Sequence, residues 1–195
     1  MNTRKKNKGS IHTDEGNRLL ESFLAGNDDA FSSIYKKYVD ELFAYGTGLC
    51  FERETLKDAI QDIFCKLYFD KKGLRNVKQL KHYLFIMLRN RLIDIHRTSM
   101  NLNLTDFHQS KYEMTFSIKS TILDDIIGEE ERNNIQQRID TLLNKLTDRQ
   151  REAVYLRFIH EMKYEEIAVL LNMTLPAVRK LVARAMKSMR DEKKI

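Results

Sequence analysis

The side chains in this sequence that are best suited to chemistry are cationic, and the chemistry they suit is phosphate binding. Residues 174–190 contain five basic residues and no acidic one: Arg179, Lys180, Arg184, Lys187 and Arg190. At about 100° per residue these cations lie on one side of a helix. The opposite side is apolar and consists of Val178, Leu181, Val182, Ala185 and Met189. A helix of this kind packs through one face and presents a row of unneutralised charge to a polyanion.

A second cationic segment lies near the middle of the chain. Residues 75–97 contain six basic residues and one acid, Asp94. The sign reverses over residues 98–140, which hold eight acids against four bases, and the whole chain carries a formal net charge of +6. Two cationic segments separated by an anionic one favour a polyanionic partner over a uniformly solvated surface.

Catalysis has little support in the sequence. The five histidines are scattered, and no metal-ligand spacing, Gly-rich phosphate loop or Ser/His/Asp arrangement is present. Asp94 and His96 are close along the chain, but residues two apart on a helix face different directions. We therefore expect no enzyme activity, no cofactor, no metal site and no small-molecule substrate.

The composition predicts an all-α fold. The chain has 195 residues with only seven Gly and one Pro, which is unlike a turn-rich β architecture. The longest apolar run near its middle, residues 83–88, is far shorter than the ~20 residues of a membrane span, and no apolar signal segment follows the basic N-terminus. We expect a cytoplasmic protein that is not itself a membrane protein. Cys50 and Cys65 have apolar neighbours and are predicted to be buried free thiols.

Helical periodicity divides the chain into two modules. Asn27 and Asp28 are N-cap candidates ahead of an apolar stripe that begins at Phe31, and a second stripe starts at Leu56 and is predicted to end near Gly73. A third helix should run from about residue 78 to 97. The predicted organisation is a disordered basic arm (1–13), a helical module (14–97), a flexible interdomain linker (98–132) and a second helical module (133–195).

The second module contains a predicted helix-turn-helix. Thr147 and Gln150 form a capping-box pattern that starts a helix at Asp148. Residues 164–171 form a short amphipathic helix, and Asn172 is suited to the positive φ of a turn. Thr174 then caps the cationic helix. This layout is typical of DNA-binding proteins whose second helix enters the major groove, although a bundle helix with a basic outer face has the same pattern.

Together the two modules resemble an extracytoplasmic-function (ECF) sigma factor of the sigma-70 family. Residues 27–38 resemble the start of the family's region 2. Residues 58–68 (DAIQDIFCKLY) resemble its polymerase-clamp helix, and residues 89–97 resemble the end of that region. Residues 146–152, 164–168 and 178–185 resemble region 4.

The resemblance implies partners and roles that spacing alone does not supply. The partners are core RNA polymerase, through its clamp and flap, promoter DNA and an anti-sigma factor. Region 2 would melt and read the −10 element, and region 4 would bind the −35 element. The implied polymerase contacts are Asp58, Gln61 and Asp62. The implied −10 contacts are Leu74, Arg75, Asn76, Lys78, Arg89, Asn90 and Arg97. The implied −35 contacts are Ala177, Arg179 and Lys180 at base edges and Arg184, Lys187 and Arg190 at phosphates.

The sequence departs from the family's pattern at several positions. Leu74 stands where an aromatic residue is frequent, so base stacking there should be weaker, and the absence of Trp rules out a Trp wedge. Tyr83 and Phe85 are candidates either for stacking or for the core. Lys163 leaves the first helix of the helix-turn-helix without a side-chain cap, at a cost of about 1 kcal/mol. Asn172 replaces the usual Gly of the turn.

Two other classes of protein remain open from the sequence. A helix-turn-helix regulator that works without polymerase accounts for residues 147–190, but it gives no task to the clamp-like helix or to residues 75–97. A structural helical adaptor accounts for the helices but not for the paired basic segments.

Overall fold

The computed structural model describes residues 11–99, 115–117 and 138–190. Every regular element within those residues is a helix, so the all-α prediction is confirmed over the described part of the chain. The chain divides into two compact units: residues up to Gly46 with Phe51–Leu102, and Thr47–Cys50 with the residues from Asn103 onward. Residues 1–10 of the predicted basic arm, and the linker apart from residues 98, 99 and 115–117, lie outside the described residues. The predicted boundaries were wrong by a few residues, because residues 11–13 belong to the first helix and residues 98 and 99 to the last helix of the first unit.

The first unit is a helical bundle whose core consists of aliphatic and aromatic side chains. Its helices are α1 (Ile11–Leu24), α2 (Asp28–Gly48), α3 (Arg53–Phe69), α4 (Lys71–Leu74) and α5 (Leu80–Ser99). The last two residues of α2, Thr47 and Gly48, belong to the second unit. Helix α5 packs against α1 and α3. The predicted stripes supply the core, because Ile34, Leu42, Leu56 and Leu67 are all buried.

Short polar side chains set the ends of these helices. The Oδ1 of Asn27 accepts a hydrogen bond from the Asp29 backbone N at 3.0 Å, which confirms Asn27 as the cap of α2. The predicted end of the next helix at Gly73 was wrong, because α3 ends at Phe69. The carboxylate of Asp70 accepts a hydrogen bond from the Gly73 backbone N at 3.1 Å, and this cap begins the separate helix α4.

The second unit contains the predicted helix-turn-helix. Residues 138–144 belong to α6 and are followed by α7 (Asp148–Phe158), α8 (Tyr164–Leu170) and α9 (Leu175–Arg190). The predicted capping box is confirmed: Thr147 Oγ1 accepts from the Gln150 N at 3.3 Å, and Gln150 Oε1 accepts from the Thr147 N at 3.0 Å. Helix α9 packs on both α7 and α8, and this packing fixes the position of its cationic face.

Phe116 joins the core of the second unit although it lies within the predicted linker. Its side chain is fully buried, and its ring centroid lies 5.3 Å from that of Tyr155. The Phe116 carbonyl accepts from Arg151 Nη1 at 2.8 Å, while Ser117 N donates to the Gly48 carbonyl at 2.7 Å. A Cβ on Gly48 would come within 2.8 Å of the Phe116 ring, so this close approach requires glycine at that position.

The prediction that both cysteines are buried was wrong, although both thiols are free. Cys50 and Cys65 are both exposed. Cys65 follows the buried Phe64 on α3, and neighbours in sequence are about 100° apart around a helix, so an apolar neighbour does not imply burial. Cys50 lies in the turn after α2 with φ 61°.

Tyr38 gives the first unit a pH-dependent stability. Burial, with smaller contributions from the Glu41 and Glu15 carboxylates, raises the pKa of Tyr38 from 10.0 to about 12. The unfolded chain therefore ionises first as pH rises. This difference in pKa contributes about 2–3 kcal/mol to the free energy of unfolding. The contribution is fully present below pH 10 and is lost between pH 10 and pH 12.

Urea unfolding of the wild type from about pH 9 upward should show this loss of stability. In the Tyr38→Phe variant, most of the loss should be absent. A loss of the same size in Y38F would contradict the assignment.

Candidate nucleic-acid interface

The turn between α8 and α9 has the geometry that the sequence predicted. Asn172 adopts φ 52°, and Met173 N donates to the Ala168 carbonyl at 2.8 Å, which closes the end of α8. Thr174 Oγ1 accepts from the Ala177 N at 3.4 Å, so Thr174 caps α9. These local bonds fix the direction in which α9 leaves the turn.

Helix α9 has one apolar face that packs on the unit and one exposed face that is cationic. Val178, Val182 and Ala185 are buried, as the apolar stripe predicted. The exposed positions on the other side include all five of its cations: Arg179, Lys180, Arg184, Lys187 and Arg190. Helix α9 contains no acidic residue. The helix therefore presents a row of cations without neutralising acids of its own.

Arg179 is held by the helix that precedes the turn. Its Nη2 lies 3.5 Å from Glu165 Oε1, and its Cζ lies 6.0 Å from the centroid of the Tyr164 ring. Arg157 lies closer to the same ring, with its Cζ 4.9 Å from the centroid. Because Arg179 and Glu165 are both well exposed, this ion pair is weak and orients the guanidinium without fixing it.

The start of α8 is capped from within the helix. Lys163 has no side-chain acceptor to offer, as the sequence indicated. Glu166 Oε2 accepts from the Lys163 backbone N at 2.7 Å, which supplies the other half of a capping box. The expected penalty at Lys163 is therefore partly offset by Glu166.

In the first unit, three polar side chains project from the exposed side of α3. Asp58, Gln61 and Asp62 are exposed, one helical turn or less apart. Asp62 Oδ2 lies 2.7 Å from Nη2 of Arg91 on α5, so one of the three carries an ion pair across the helix pair. Asp58 and Gln61 together form a polar surface suited to a cationic protein partner.

Residues 70–79, which include α4, form a cationic loop between α3 and α5. Arg75, Asn76 and Lys78 are exposed in it. Leu74 is buried, which places its side chain inside the loop and away from solvent. The loop therefore exposes cationic and amide side chains, while the buried aliphatic side chain of Leu74 holds it against the core.

Asn17 holds the end of this loop, and sequence reasoning missed it. Its Nδ2 donates to the Lys78 carbonyl at 2.8 Å, and its Oδ1 accepts from the Leu80 N at 3.0 Å. One amide on α1 therefore fixes the point where the loop becomes α5. No spacing signal could reveal it, because the partners are more than 60 residues apart along the chain.

The remaining candidates lie on α5. Asn90 and Arg97 are exposed, and Arg97 Nη1 lies 4.0 Å from Asp94 Oδ1. Arg89 is buried, so its guanidinium is not presented to solvent. Phe85 is fully buried against Tyr45, with 5.1 Å between ring centroids, which places it in the core. Tyr83 is partly exposed, and partial burial, with a smaller contribution from the Asp70 carboxylate, raises its pKa.

The sequence of this chain is similar to those of known sigma factors. Residues 136–189 match the family model described as sigma-70, region 4. RNA polymerase sigma factor YlaC of Bacillus subtilis (strain 168) is 24% identical over 157 residues, covering 80% of this chain and 88% of YlaC. ECF RNA polymerase sigma factor SigW of the same organism is 23% identical over 181 residues, covering 90% of this chain and 95% of SigW. Residues 136–189 thus match region 4 of the sigma-70 family, and most of the chain is similar to ECF sigma factors.

Two solved structures share this fold. CnrH, in complex with the cytosolic domain of CnrY, aligns with a TM-score of 0.56 at 19% identity over 90% of this chain and 95% of CnrH. The sigma factor RpoE of Bartonella quintana, in complex with the anti-sigma factor NepR, aligns with a TM-score of 0.55 at 22% identity over 85% and 97% of the two chains. The part of this chain that matches region 4 carries α7, α8 and α9.

The described residues of this chain contain neither a candidate membrane-spanning helix nor a candidate metal-binding cluster. None of its described helices is long and apolar enough to cross a membrane. No group of three or more His, Cys, Asp or Glu side chains with a metal-binding arrangement occurs among the described residues.

Proposed function

We propose that this chain binds core RNA polymerase and directs promoter-specific initiation of transcription. Its first module (14–97) acts as region 2 on the −10 element, and its second (133–195) acts as region 4 on the −35 element. The residues that follow α5 link the two modules, and residues 1–10 supply the basic arm. The observation that carries the proposal is the cationic face of α9, which contains no acid and whose direction is set by Asn172 and the Thr174 cap.

Position along α9 separates two kinds of DNA contact. Ala177, Arg179 and Lys180 lie in the first two turns, where a helix in the major groove reaches base edges. Arg184, Lys187 and Arg190 lie farther along and contact phosphates, which position the helix without reading sequence. The division between base-contacting and phosphate-contacting residues is supported by Glu165. In the described contacts this carboxylate orients Arg179 and none of the cations farther along α9.

The polymerase clamp binds the polar side of α3. Asp58, Gln61 and Asp62 are exposed and supply carboxylate and amide groups for that contact. A clamp cation that takes Asp62 would have to displace Arg91, which would then be available for a DNA phosphate. Binding of polymerase would in this way increase the positive charge that α5 offers to DNA.

Of the seven residues that the resemblance assigned to the −10 element, those that are exposed make the contacts with DNA. Arg75, Asn76 and Lys78 on the loop, with Asn90 and Arg97 on α5, supply cations and amides. Leu74 and Arg89 are buried, so we assign them to support of the loop and of α5 in this conformation.

Regulation by an anti-sigma factor belongs to the same proposal. RpoE was solved with an anti-sigma factor and CnrH with the cytosolic domain of CnrY, and this chain aligns with most of both. The proposed activity needs no catalytic group, because polymerase carries out the chemistry and this chain directs where it begins.

The test is transcription in vitro by core polymerase on a genomic DNA library, with and without the chain. We expect a small set of start sites that appear only when the chain is present, and no sequence-specific DNA binding by the chain alone. Specific operator binding without polymerase would instead identify a helix-turn-helix regulator. A chain that joins polymerase but leaves every start site unchanged would refute the proposal.

A further inference from the structure

Phe69 is the most exposed large apolar side chain among the described residues. It is 81% exposed and is the last residue of α3, immediately before the cationic loop of residues 70–79. A phenylalanine this exposed contributes little to the core, and full exposure of an aromatic ring is unfavourable in water. Its exposed ring, at the start of a cationic loop, is available for contact with a binding partner.

The ring stands on a rigid base. Its centroid lies 5.4 Å from that of Tyr68, with 89° between the ring planes, an edge-to-face contact. Tyr68 in turn packs on Phe31 and Phe23, at centroid distances of 5.1 Å and 5.8 Å. Phe69 therefore extends an aromatic cluster that begins in the core, and most of its ring surface is left open to a flat partner.

Cationic side chains accompany the aromatic cluster and the loop that follows it. Lys71 Nζ lies 5.7 Å from the centroid of the Tyr68 ring and 4.2 Å from that of Phe23. The same ammonium group lies 3.8 Å from Asp28 Oδ1, an exposed ion pair that neutralises little of its charge. Lys72, Arg75 and Lys78 follow in the loop. The acid within residues 70–79, Asp70, is engaged in capping α4 through the Gly73 N. A polyanion is the partner that this charge favours.

We propose that Phe69 stacks on one unpaired base of the single-stranded non-template DNA and so forms part of the −10 site. An exposed aromatic ring beside a cationic track is the arrangement by which proteins bind single-stranded nucleic acid. Phe69 supplies the aromatic surface that Leu74, which is aliphatic and buried, does not offer. This inference rests on the proposed function, because it requires a melted promoter.

The test uses the full chain assembled with core polymerase and three substitutions at one position: Phe69→Ala, Phe69→Leu and Phe69→Tyr. The DNA probe is a promoter from the transcription assay, as a duplex and as a premelted bubble. The measurements are affinity for core polymerase, affinity for each DNA and lifetime of the open complex. The temperature of unfolding serves as the folding control.

We expect Ala and Leu to weaken bubble binding and shorten the open-complex lifetime by about five- to tenfold, the lower part of the range for base–aromatic stacking. Tyr should retain wild-type behaviour because it keeps the ring. Affinity for polymerase and for duplex DNA should not change. If Leu behaves like the wild type, or if Ala weakens polymerase binding by the same factor, Phe69 is a protein contact and the proposal is overturned.

A scan of abasic sites along the non-template strand completes the test. Removing the stacked base should weaken binding by the wild type about as much as Phe69→Ala does, and the two changes should not add. Additivity at every position would refute a stacked base. A wild-type complex that never opens the promoter would contradict the proposed function, and this outcome is distinct from a failure of the Phe69 variants alone.

Discussion

Replacing Phe116 with alanine is expected to lower the free energy of unfolding of the second unit by about 3 kcal/mol. The reason is that its ring is fully buried against Tyr155, and truncation leaves a cavity as well as losing the burial of the ring. This value is the lower end of the range measured for Phe→Ala substitutions in protein cores. Hydrogen exchange of the α7 amides, measured on the full chain, reports this unit separately from the other.

The matched control is Phe158→Ala. Phe158 is the last residue of α7 and is half exposed, so its truncation should change stability by no more than about 0.5 kcal/mol. If Phe116→Ala cost as little as this control, residues 115–117 would not belong to the folded unit, and the account of Phe116 would be wrong.

The variant Arg179→Ala is expected to weaken binding of the polymerase complex to the −35 element by about 1–3 kcal/mol and to relax the preference at one base pair. A bidentate arginine–guanine contact discriminates between bases, whereas a phosphate contact does not. The measurement is competition between the selected promoter and a set of single-base variants of its −35 element, at one stated salt concentration.

Lys187→Ala provides the comparison on the same helix. This substitution should weaken binding to all the sequences alike and reduce the slope of log affinity against log salt by about 1. If both variants weakened every sequence to the same extent, the division of α9 into base-contacting and phosphate-contacting residues would be rejected.

Local features of the second unit could be predicted from the sequence because the residues that determine them are neighbours in the chain. Thr147 and Gln150 cap each other across three residues, and Thr174 caps α9 in the same way. Asn172 adopts the positive φ that its type allows. In each case a short-range hydrogen bond or a backbone preference decides the structure.

Features that depend on distant parts of the chain could not be predicted in this way. Asn17 binds the backbone of residues 78 and 80, and nothing in its own neighbourhood indicates that role. Phe116 stands among polar residues, and its burial depends on Tyr155 and on the absence of a side chain at Gly48. Cys65 follows the buried Phe64, and Phe69 is itself apolar, but both are exposed because helix phase determines which side chains reach the core.

The ion pair between Arg179 and Glu165 makes any base contact by Arg179 an exchange of partners. The guanidinium must leave a carboxylate before it can bind a guanine, so the free energy gained on the correct base is only the difference between the two. On an incorrect base the arginine can return to Glu165 and the protein then gains nothing from that position. Glu165 therefore lowers the free energy that Arg179 can contribute at the correct base, and any contact weaker than the ion pair does not form at all.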